Sequence, residues 1–153
     1  MISTNMVKLA DYTNYEELQS SNKSIVTKAL DKYGNKVLLK SFVKSYDNMY
    51  SFTIDPHQNK LIPTELFFLS KLTGEAYVPK LLGYHDEDHF ATVKMEFFDN
   101  QWLDLLDLSE KEDLNENKLK VIFKNIMSAL HKMGEKGYYH CDIKPENIMV
   151  HEK

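Results

Sequence analysis

The 153-residue chain lacks the features that mark several broad classes of protein. Its single cysteine excludes an internal disulfide framework and fits a reducing compartment. No apolar run approaches the length that crosses a bilayer, and the first nine residues do not form a signal peptide. A net charge of −4 argues against a nucleic-acid-binding surface. We therefore expect a cytoplasmic protein, with the nucleus as the alternative location, that binds neither membrane nor nucleic acid.

The residues that are present suffice for one modest core, because 42% of them are hydrophobic and 12% are aromatic. Alternating runs rich in β-branched residues predict strands at residues 24–30 and 36–42, joined by a turn at Gly34. Residues 43–60 are polar and read as irregular. Four further segments are strand candidates: residues 15–18, 78–85, 89–95 and 148–150. The chain therefore opens as an antiparallel meander.

Helical spacing appears in three places. Pro63 fits the first turn of a helix whose buried stripe is headed by Glu65. Residues 102–108 read as a short helix and residues 115–137 as a long one. The long helix carries a continuous apolar stripe that we expect to be core: Leu119, Ile122, Phe123, Ile126, Met127, Leu130 and Met133.

One stretch near the end of the chain combines the groups that phosphoryl transfer uses. Residues 140–147 read His-Cys-Asp-Ile-Lys-Pro-Glu-Asn, so a lysine lies two residues after a carboxylate and an amide lies three residues further on. Asp142 would supply a base for a hydroxyl, Lys144 a cation for the moving phosphoryl group and Asn147 an oxygen ligand for magnesium. Pro145 keeps Lys144 out of helical geometry, so the segment is predicted to be a loop.

This stretch resembles the catalytic loop of the eukaryotic protein kinases, H-R-D-x-K-P-x-N. Lys144-Pro145-Glu146 favours the serine/threonine class, although small-molecule phosphotransferases of similar fold also carry an H-x-D-x-x-x-x-N loop. The resemblance implies ATP and Mg²⁺ as cofactors and a protein hydroxyl as the acceptor. Cys141 replaces the usual arginine, as in the dual-specificity tyrosine-regulated kinases, and we expect it to be a small buried residue.

The first part of the chain resembles the small lobe of the same family. Residues 37–40, Val-Leu-Leu-Lys, match its V-A-I-K strand, so Lys40 would reach the α- and β-phosphates and pair with Glu65. Residues 96–98, Glu-Phe-Phe, match the hinge that reads the adenine edge, and the run that begins at Pro63 looks most like the Pim-type kinases. The resemblance assigns ATP binding to eight residues: Val26, Leu38, Lys40, Glu65, Met95, Glu96, Phe98 and Met149.

Two departures from the family pattern bear on nucleotide binding. The glycine-rich loop G-x-G-x-x-G-x-V, aligned on Val26, has Gln19, Ser21 and Ser24 at its glycine positions. Side chains there hinder the close approach of backbone amides to phosphate, and an ordinary hairpin turn is the alternative interpretation. Leu38 stands where the family has an alanine and would narrow the adenine pocket. Both departures lower the ATP affinity that we expect.

The patterns together predict an α+β fold that contains part of a kinase domain. A protein-kinase-like small lobe, made of an antiparallel sheet plus one helix, would be followed by the hinge and the first helices of the large lobe, which would be incomplete. We assign residues 1–14 to an N-terminal tail, residues 15–95 to the small lobe and residues 96–153 to the hinge and partial large lobe.

The D-F-G motif, whose aspartate holds the main magnesium ion in this family, does not occur in the sequence. We therefore expect a truncation after the catalytic loop, negligible phosphoryl transfer from this chain alone, and exposed apolar surface on the long helix. Two functions remain open. One is a serine/threonine protein kinase that acts on a protein substrate. The other is a truncated pseudokinase that binds or inhibits a partner kinase.

Overall fold

The computed structural model describes residues 9–151. Two short 3₁₀ turns occupy Tyr46–Ser51 and Pro145–Asn147. The strands and helices, in chain order, are β1 (Tyr12–Ser20), β2 (Ser24–Asp31), β3 (Lys36–Val43), β4 (Phe52–Asp55), β5 (Lys60–Pro63), α1 (Thr64–Lys71), β6 (Leu81–Asp86), β7 (Phe90–Glu96), β8 (Trp102–Asp104), α2 (Leu105–Lys111), α3 (Glu116–Glu135) and β9 (Met149–His151).

The first of two compact units comprises residues 9–73 and Pro79–Phe97 and is built on a five-stranded antiparallel sheet. The strand order is β1-β2-β3-β7-β6, and β2 and β3 pair without a bulge. The turn between them is set by Asp31, whose carboxylate accepts from the backbone N–H groups of Tyr33 at 3.0 Å and Asn35 at 2.9 Å. Gly34 takes a φ of +80°, which glycine tolerates best. The predicted meander is therefore confirmed.

The core of the first unit lies on both faces of this sheet, because the inner strand β7 is buried on both sides. Ala91 and Val93 face one side and Thr92 the other, and none of the three is more than 1% exposed. β1 begins three residues before its predicted start, and its first residue is part of the core. The cluster on the side of Thr92 comprises Leu9, Tyr12, Ala29, Val37 and Leu39.

The segment between β3 and α1 differs from the prediction. Residues 43–60 were expected to be irregular, but they contain a 3₁₀ turn and β4, which pairs with β5 in a separate two-stranded sheet. Ile54 and Leu61 lie opposite each other in this hairpin, and both are exposed although they are apolar. The apolar residues of these short strands therefore do not form one continuous buried stripe. Pro63 ends β5 and immediately precedes α1, instead of lying in the first turn of the helix.

The second unit comprises Gly74–Val78 and residues 98–151. Residues 102–108 were predicted to form one helix, but the first three of them form β8, which pairs with β9. The helix, α2, starts only after Asp104. The Asp104 carboxylate accepts from the backbone N–H of Asp107 at 2.8 Å and thereby caps the first turn of the helix. The pairing of β8 with a strand more than forty residues later is not visible in the local pattern.

Helix α3 has the cap that its sequence predicts, since the Asn115 side chain accepts from the N–H of Lys118 at 2.9 Å. Ile122 and Met133 are buried, whereas Phe123 is 56% and Met127 is 62% exposed. The expectation that the whole stripe is core is therefore wrong for these two residues, and the expectation of exposed apolar surface on this helix is confirmed. Among residues 9–151, no helix is both long enough and apolar enough to span a membrane.

Candidate functional site

The loop between α3 and β9 brings the three predicted catalytic side chains together. The side-chain amide of Asn147 donates from Nδ2 to the Asp142 carbonyl oxygen at 3.0 Å and to the Asp142 carboxylate oxygen Oδ2 at 2.9 Å. The ammonium nitrogen of Lys144 lies 3.8 Å from the same carboxylate oxygen. A carboxylate, an ammonium group and an amide therefore converge within six residues of chain.

The local sequence explains this geometry. Lys144 is extended, with φ −153° and ψ 159°, as the residue before a proline prefers. Pro145 then starts a 3₁₀ turn in which the N–H of Asn147 donates to the carbonyl of Lys144 at 3.0 Å. The turn carries the Asn147 side chain back toward Asp142, and β9 begins two residues later.

Cys141 is exposed, so the expectation that it is a buried residue is wrong. Its φ is +61°, a left-handed conformation that is uncommon for residues other than glycine. The thiol donates to the Tyr139 carbonyl, with 3.7 Å between sulfur and oxygen. Beside it, the N–H of Asp142 donates to the Nδ1 atom of His140 at 3.3 Å, so His140 makes a hydrogen bond within the loop.

The loop offers oxygen atoms of the kind that Mg²⁺ prefers. Because the Nδ2 group of Asn147 is committed to Asp142, the amide oxygen of Asn147 is the atom suited to a cation, and the Asp142 carboxylate lies beside it. Within the part of the chain that the structure describes, no three His, Cys, Asp or Glu side chains cluster to hold a metal. The donor set therefore fits a magnesium ion that takes its remaining ligands from phosphate and water, as this ion commonly does.

In the first unit, Lys40 and Glu65 form an ion pair with 2.5 Å between Nζ and Oε2. Lys40 lies on β3 between Val26 of β2 and Val93 of β7, and Glu65 lies in the first turn of α1. The side chains are 28% and 30% exposed, so a solute can reach both. The pair links the sheet to the helix across 25 residues of sequence.

The predicted adenine-binding positions of the first unit lie on the same sheet. Leu38 and Met95 are directly opposite each other on β3 and β7, and Met95 is buried. Because opposed residues share a face, Leu38, Met95 and Lys40 all lie on one side of the sheet. The structure thus places Leu38 beside Met95, another of the residues that the resemblance assigned to ATP binding.

The predicted hinge spans the division between the two units. Glu96 ends β7 in the first unit, where its carboxylate accepts from the backbone N–H of Lys80 at 2.7 Å. Phe98 belongs to the second unit and packs on Trp102, with 5.1 Å between ring centroids. Met149 opens β9 in the second unit, opposite the end of β8. The lobe boundaries and the roles of these residues in binding ATP remain predictions.

The turn between β1 and β2 contains contacts that sequence reasoning missed. The Ser21 hydroxyl accepts from two backbone N–H groups of the turn, and the buried side chain of Asn48 donates to a carbonyl of the same turn. A serine side chain that accepts from the backbone N–H groups two and three residues later is a recognised turn pattern, so the sequence could have predicted this contact. Nothing in the polar segment around Asn48 signals its burial.

Comparison with known proteins decides the family. The model of the protein kinase domain matches residues 12–153, which is nearly the whole chain. The chain belongs to the protein kinase family. An α+β kinase small lobe followed by the beginning of the large lobe, as the sequence predicted, is the fold observed. The Pim-like and H-C-D resemblances remain predictions.

The relatives of this protein kinase chain include proteins named as serine/threonine-protein kinases. It is 31% identical over 157 aligned residues to the probable serine/threonine-protein kinase fhkA of Dictyostelium discoideum, covering 92% of this chain and 23% of the relative. It is 28% identical over 93 residues to the serine/threonine-protein kinase PSK2 of Saccharomyces cerevisiae, covering 58% of this chain and 8% of the relative. The chain thus spans less than a quarter of the length of either protein.

A solved structure supports the fold of the kinase chain. The crystal structure of Rad53 in complex with AMP-PNP matches with a TM-score of 0.70 and covers 94% of this chain and 35% of that one. The two sequences are 21% identical, so the likeness concerns the fold.

Proposed function

We propose that this chain carries the nucleotide-binding and catalytic-loop part of a serine/threonine protein kinase, which transfers the γ-phosphoryl group of ATP to a hydroxyl of a protein substrate. The observation that carries the proposal is the convergence of Asp142, Lys144 and Asn147 in one exposed loop. The serine/threonine kinases among the relatives and the AMP-PNP bound by Rad53 support the same reading.

Each group of the loop has a role in this chemistry. The Asp142 carboxylate orients the acceptor hydroxyl and takes its proton, which needs no unusual base strength because the transition state of phosphoryl transfer is loose. Lys144 neutralises charge on the phosphoryl group as it moves. Asn147 offers its amide oxygen to Mg²⁺, which when bound supplies electrostatic stabilisation of the phosphates.

In the first unit, Lys40 binds the α- and β-phosphates, and Glu65 holds the ammonium group in position for them. The other predicted ATP-binding positions in this unit are Val26, Leu38, Met95 and Glu96, whereas Phe98 and Met149 are predicted positions of the second unit. Glu65 is a positioning residue in this scheme because it acts through Lys40. The ion pair is already formed in this structure, so no rearrangement of α1 is needed before Lys40 can bind phosphate.

Nucleotide binding tests the proposal directly. We expect the chain to bind Mg²⁺-ATP in calorimetric titration and Lys40→Met to bind it about tenfold or more weakly, since a charge-assisted contact is lost. Lys36→Met is the matched control, because Lys36 lies exposed at the start of the same strand. Equal affinities for Lys40→Met and Lys36→Met would contradict the assignment of Lys40.

A transfer assay tests the loop. The sequence contains Asn147 as a ligand for magnesium but does not contain the D-F-G aspartate. We therefore expect these 153 residues alone to show negligible phosphoryl transfer. Robust turnover would refute that expectation, and its loss in Asp142→Asn but not in the exposed control Asp113→Asn would then assign the chemistry to Asp142. Turnover that both variants retain would contradict the role of the loop.

A second candidate function is a non-catalytic kinase-like module that binds or inhibits a partner kinase. Two observations favour it: the glycine-free turn between β1 and β2, and Leu38 directly opposite Met95. The first reduces the backbone hydrogen-bond donors available to the phosphates of a nucleotide, and the second reduces the space available to its adenine. Calorimetry that shows no Mg²⁺-ATP binding at millimolar concentration, with an intact fold, would favour this module over the kinase.

A further inference from the structure

The turn between β1 and β2 is closed by the side chain of its first residue. The Ser21 hydroxyl oxygen accepts from the backbone N–H groups of Lys23 at 3.2 Å and Ser24 at 3.1 Å. The hydroxyl proton is donated to the Ser24 carbonyl at 3.1 Å, and the N–H of Ser21 donates to the same carbonyl at 2.9 Å. Since a hydroxyl has one donor and two acceptor positions, the capacity of this one is used entirely inside the turn.

A buried amide fixes the same turn to the 3₁₀ turn that follows β3. Asn48 donates from Nδ2 to the carbonyl oxygens of Lys23 and Val43, both at 2.8 Å, and accepts from the Ser51 hydroxyl at 2.7 Å. The N–H of Val43 also donates to the Lys23 carbonyl, at 3.0 Å. Both lone pairs of that carbonyl are therefore occupied, so the turn cannot reorient without leaving a buried amide unpaired.

A hairpin turn binds phosphate through backbone N–H groups that are free to point at the anion. Ser21 and Ser24 stand at two of the glycine positions of the family's phosphate-binding loop. Here three N–H groups of the turn, those of Ser21, Lys23 and Ser24, donate to atoms of the turn itself. These three donors are thus already in use.

We propose that Ser21 and Asn48 lock the β1–β2 turn closed and withhold the backbone N–H groups of Ser21, Lys23 and Ser24 from the phosphates of a bound nucleotide. The inference rests on the proposed function and specifies how the nucleotide is held: Lys40 carries the phosphates without help from these amides. The one lysine of the turn does not replace them, because the Lys23 ammonium group lies 4.8 Å from the centroid of the Tyr50 ring, in a cation–π contact.

Two measurements on Ser21→Ala and Ser21→Gly test the lock. In NMR experiments, we expect the N–H groups of Lys23 and Ser24 to exchange about tenfold faster in both variants, because their acceptor is gone. In calorimetry, we expect about fivefold tighter binding of Mg²⁺-ATP, since a released amide can donate to phosphate, and unchanged binding of AMP. Ser20→Ala, the neighbouring exposed serine, is the control and should change neither quantity.

The outcomes separate this inference from the proposed function. Exchange that stays slow without the Ser21 hydroxyl overturns the lock. Fast exchange with unchanged ATP affinity overturns the withholding of the amides, as does an equal gain for AMP. If neither the wild-type chain nor the variants bind ATP although exchange is faster, the proposed function fails at nucleotide binding, and the predicted gain in affinity fails with it.

Discussion

The two units assemble their predicted site residues in different ways. Lys40 and Glu65 lie on a strand and a helix, 25 residues apart, and meet only because β3 and α1 fold into the same compact unit. Asp142, Lys144 and Asn147 lie within six residues and meet through the hydrogen bonds of one loop. The first arrangement depends on tertiary packing, and the second depends on local chain geometry.

The burial of the residues around the two sites also differs between the two units. The residues that flank Lys40 in the sheet are part of a dense core, with Leu39 at 2% and Val93 at 0% exposure. The side chains of the loop are exposed, and the loop is held by hydrogen bonds rather than by packing. We therefore expect damage to the core to cost the first unit much more stability than damage to the loop costs the second.

The largest effect is expected at Leu39. Leu39→Ala removes a fully buried side chain beside Lys40 and should lower the free energy of unfolding by about 3 kcal/mol in urea denaturation followed by circular dichroism. Leu82→Ala, a 41% exposed leucine on β6 of the same sheet, is the control and should cost less than about 1 kcal/mol. Comparable losses at the two positions would show that the core does not set the stability of this unit.

An intermediate effect is expected at Asp86, which ties the first unit together over long distances. Burial alone would raise its pKa, but the ammonium groups of Lys44 and Lys60 outweigh burial and lower the pKa of Asp86 to about 2. The Lys44 ammonium lies 2.5 Å from the carboxylate, and Lys60 pairs with its other oxygen. The ionised form of Asp86 is therefore stabilised in the folded state.

The sign of the pH dependence follows from this lowered pKa. Between pH 4 and pH 2 the unfolded chain binds a proton at Asp86 that the folded chain does not, so stability present above pH 4 is lost as the pH falls toward 2. Asp86→Asn should cost about 1 kcal/mol at pH 7, after allowance for solvent screening, and should flatten this part of the pH profile. The exposed Asp88→Asn is the control, and an unchanged acid profile in Asp86→Asn would refute the assignment.

The smallest effect is expected in the loop. Asn147→Ala removes both hydrogen bonds to Asp142 but exposes nothing that was buried, so the free energy of unfolding should change by less than about 0.5 kcal/mol. The N–H groups of the loop should nevertheless exchange faster by NMR, because a local restraint is lost. Asn117→Ala on the exposed face of α3 is the control. A loss of stability as large as that of Leu39→Ala would remove the contrast between the two units.

The sequence by itself determined the parts of this protein that depend on short-range interactions. The conformation of the loop that carries Asp142, Lys144 and Asn147 could be predicted because Pro145 and the spacing of Asp142 and Asn147 restrict the local backbone directly. The β2–β3 meander could be predicted from alternating residues and the turn at Gly34. The family followed from the same motifs, since its functional groups occur at set positions along the chain.

Only the tertiary structure decided the rest. It exposed Cys141, paired β8 with β9 and buried Asn48 beneath the β1–β2 turn. Each of these outcomes depends on segments that are distant in sequence or, for Cys141, on a left-handed backbone conformation in an exposed loop. A local pattern specifies which face of an element is apolar, but the partner that covers that face is chosen by the packing of the whole unit.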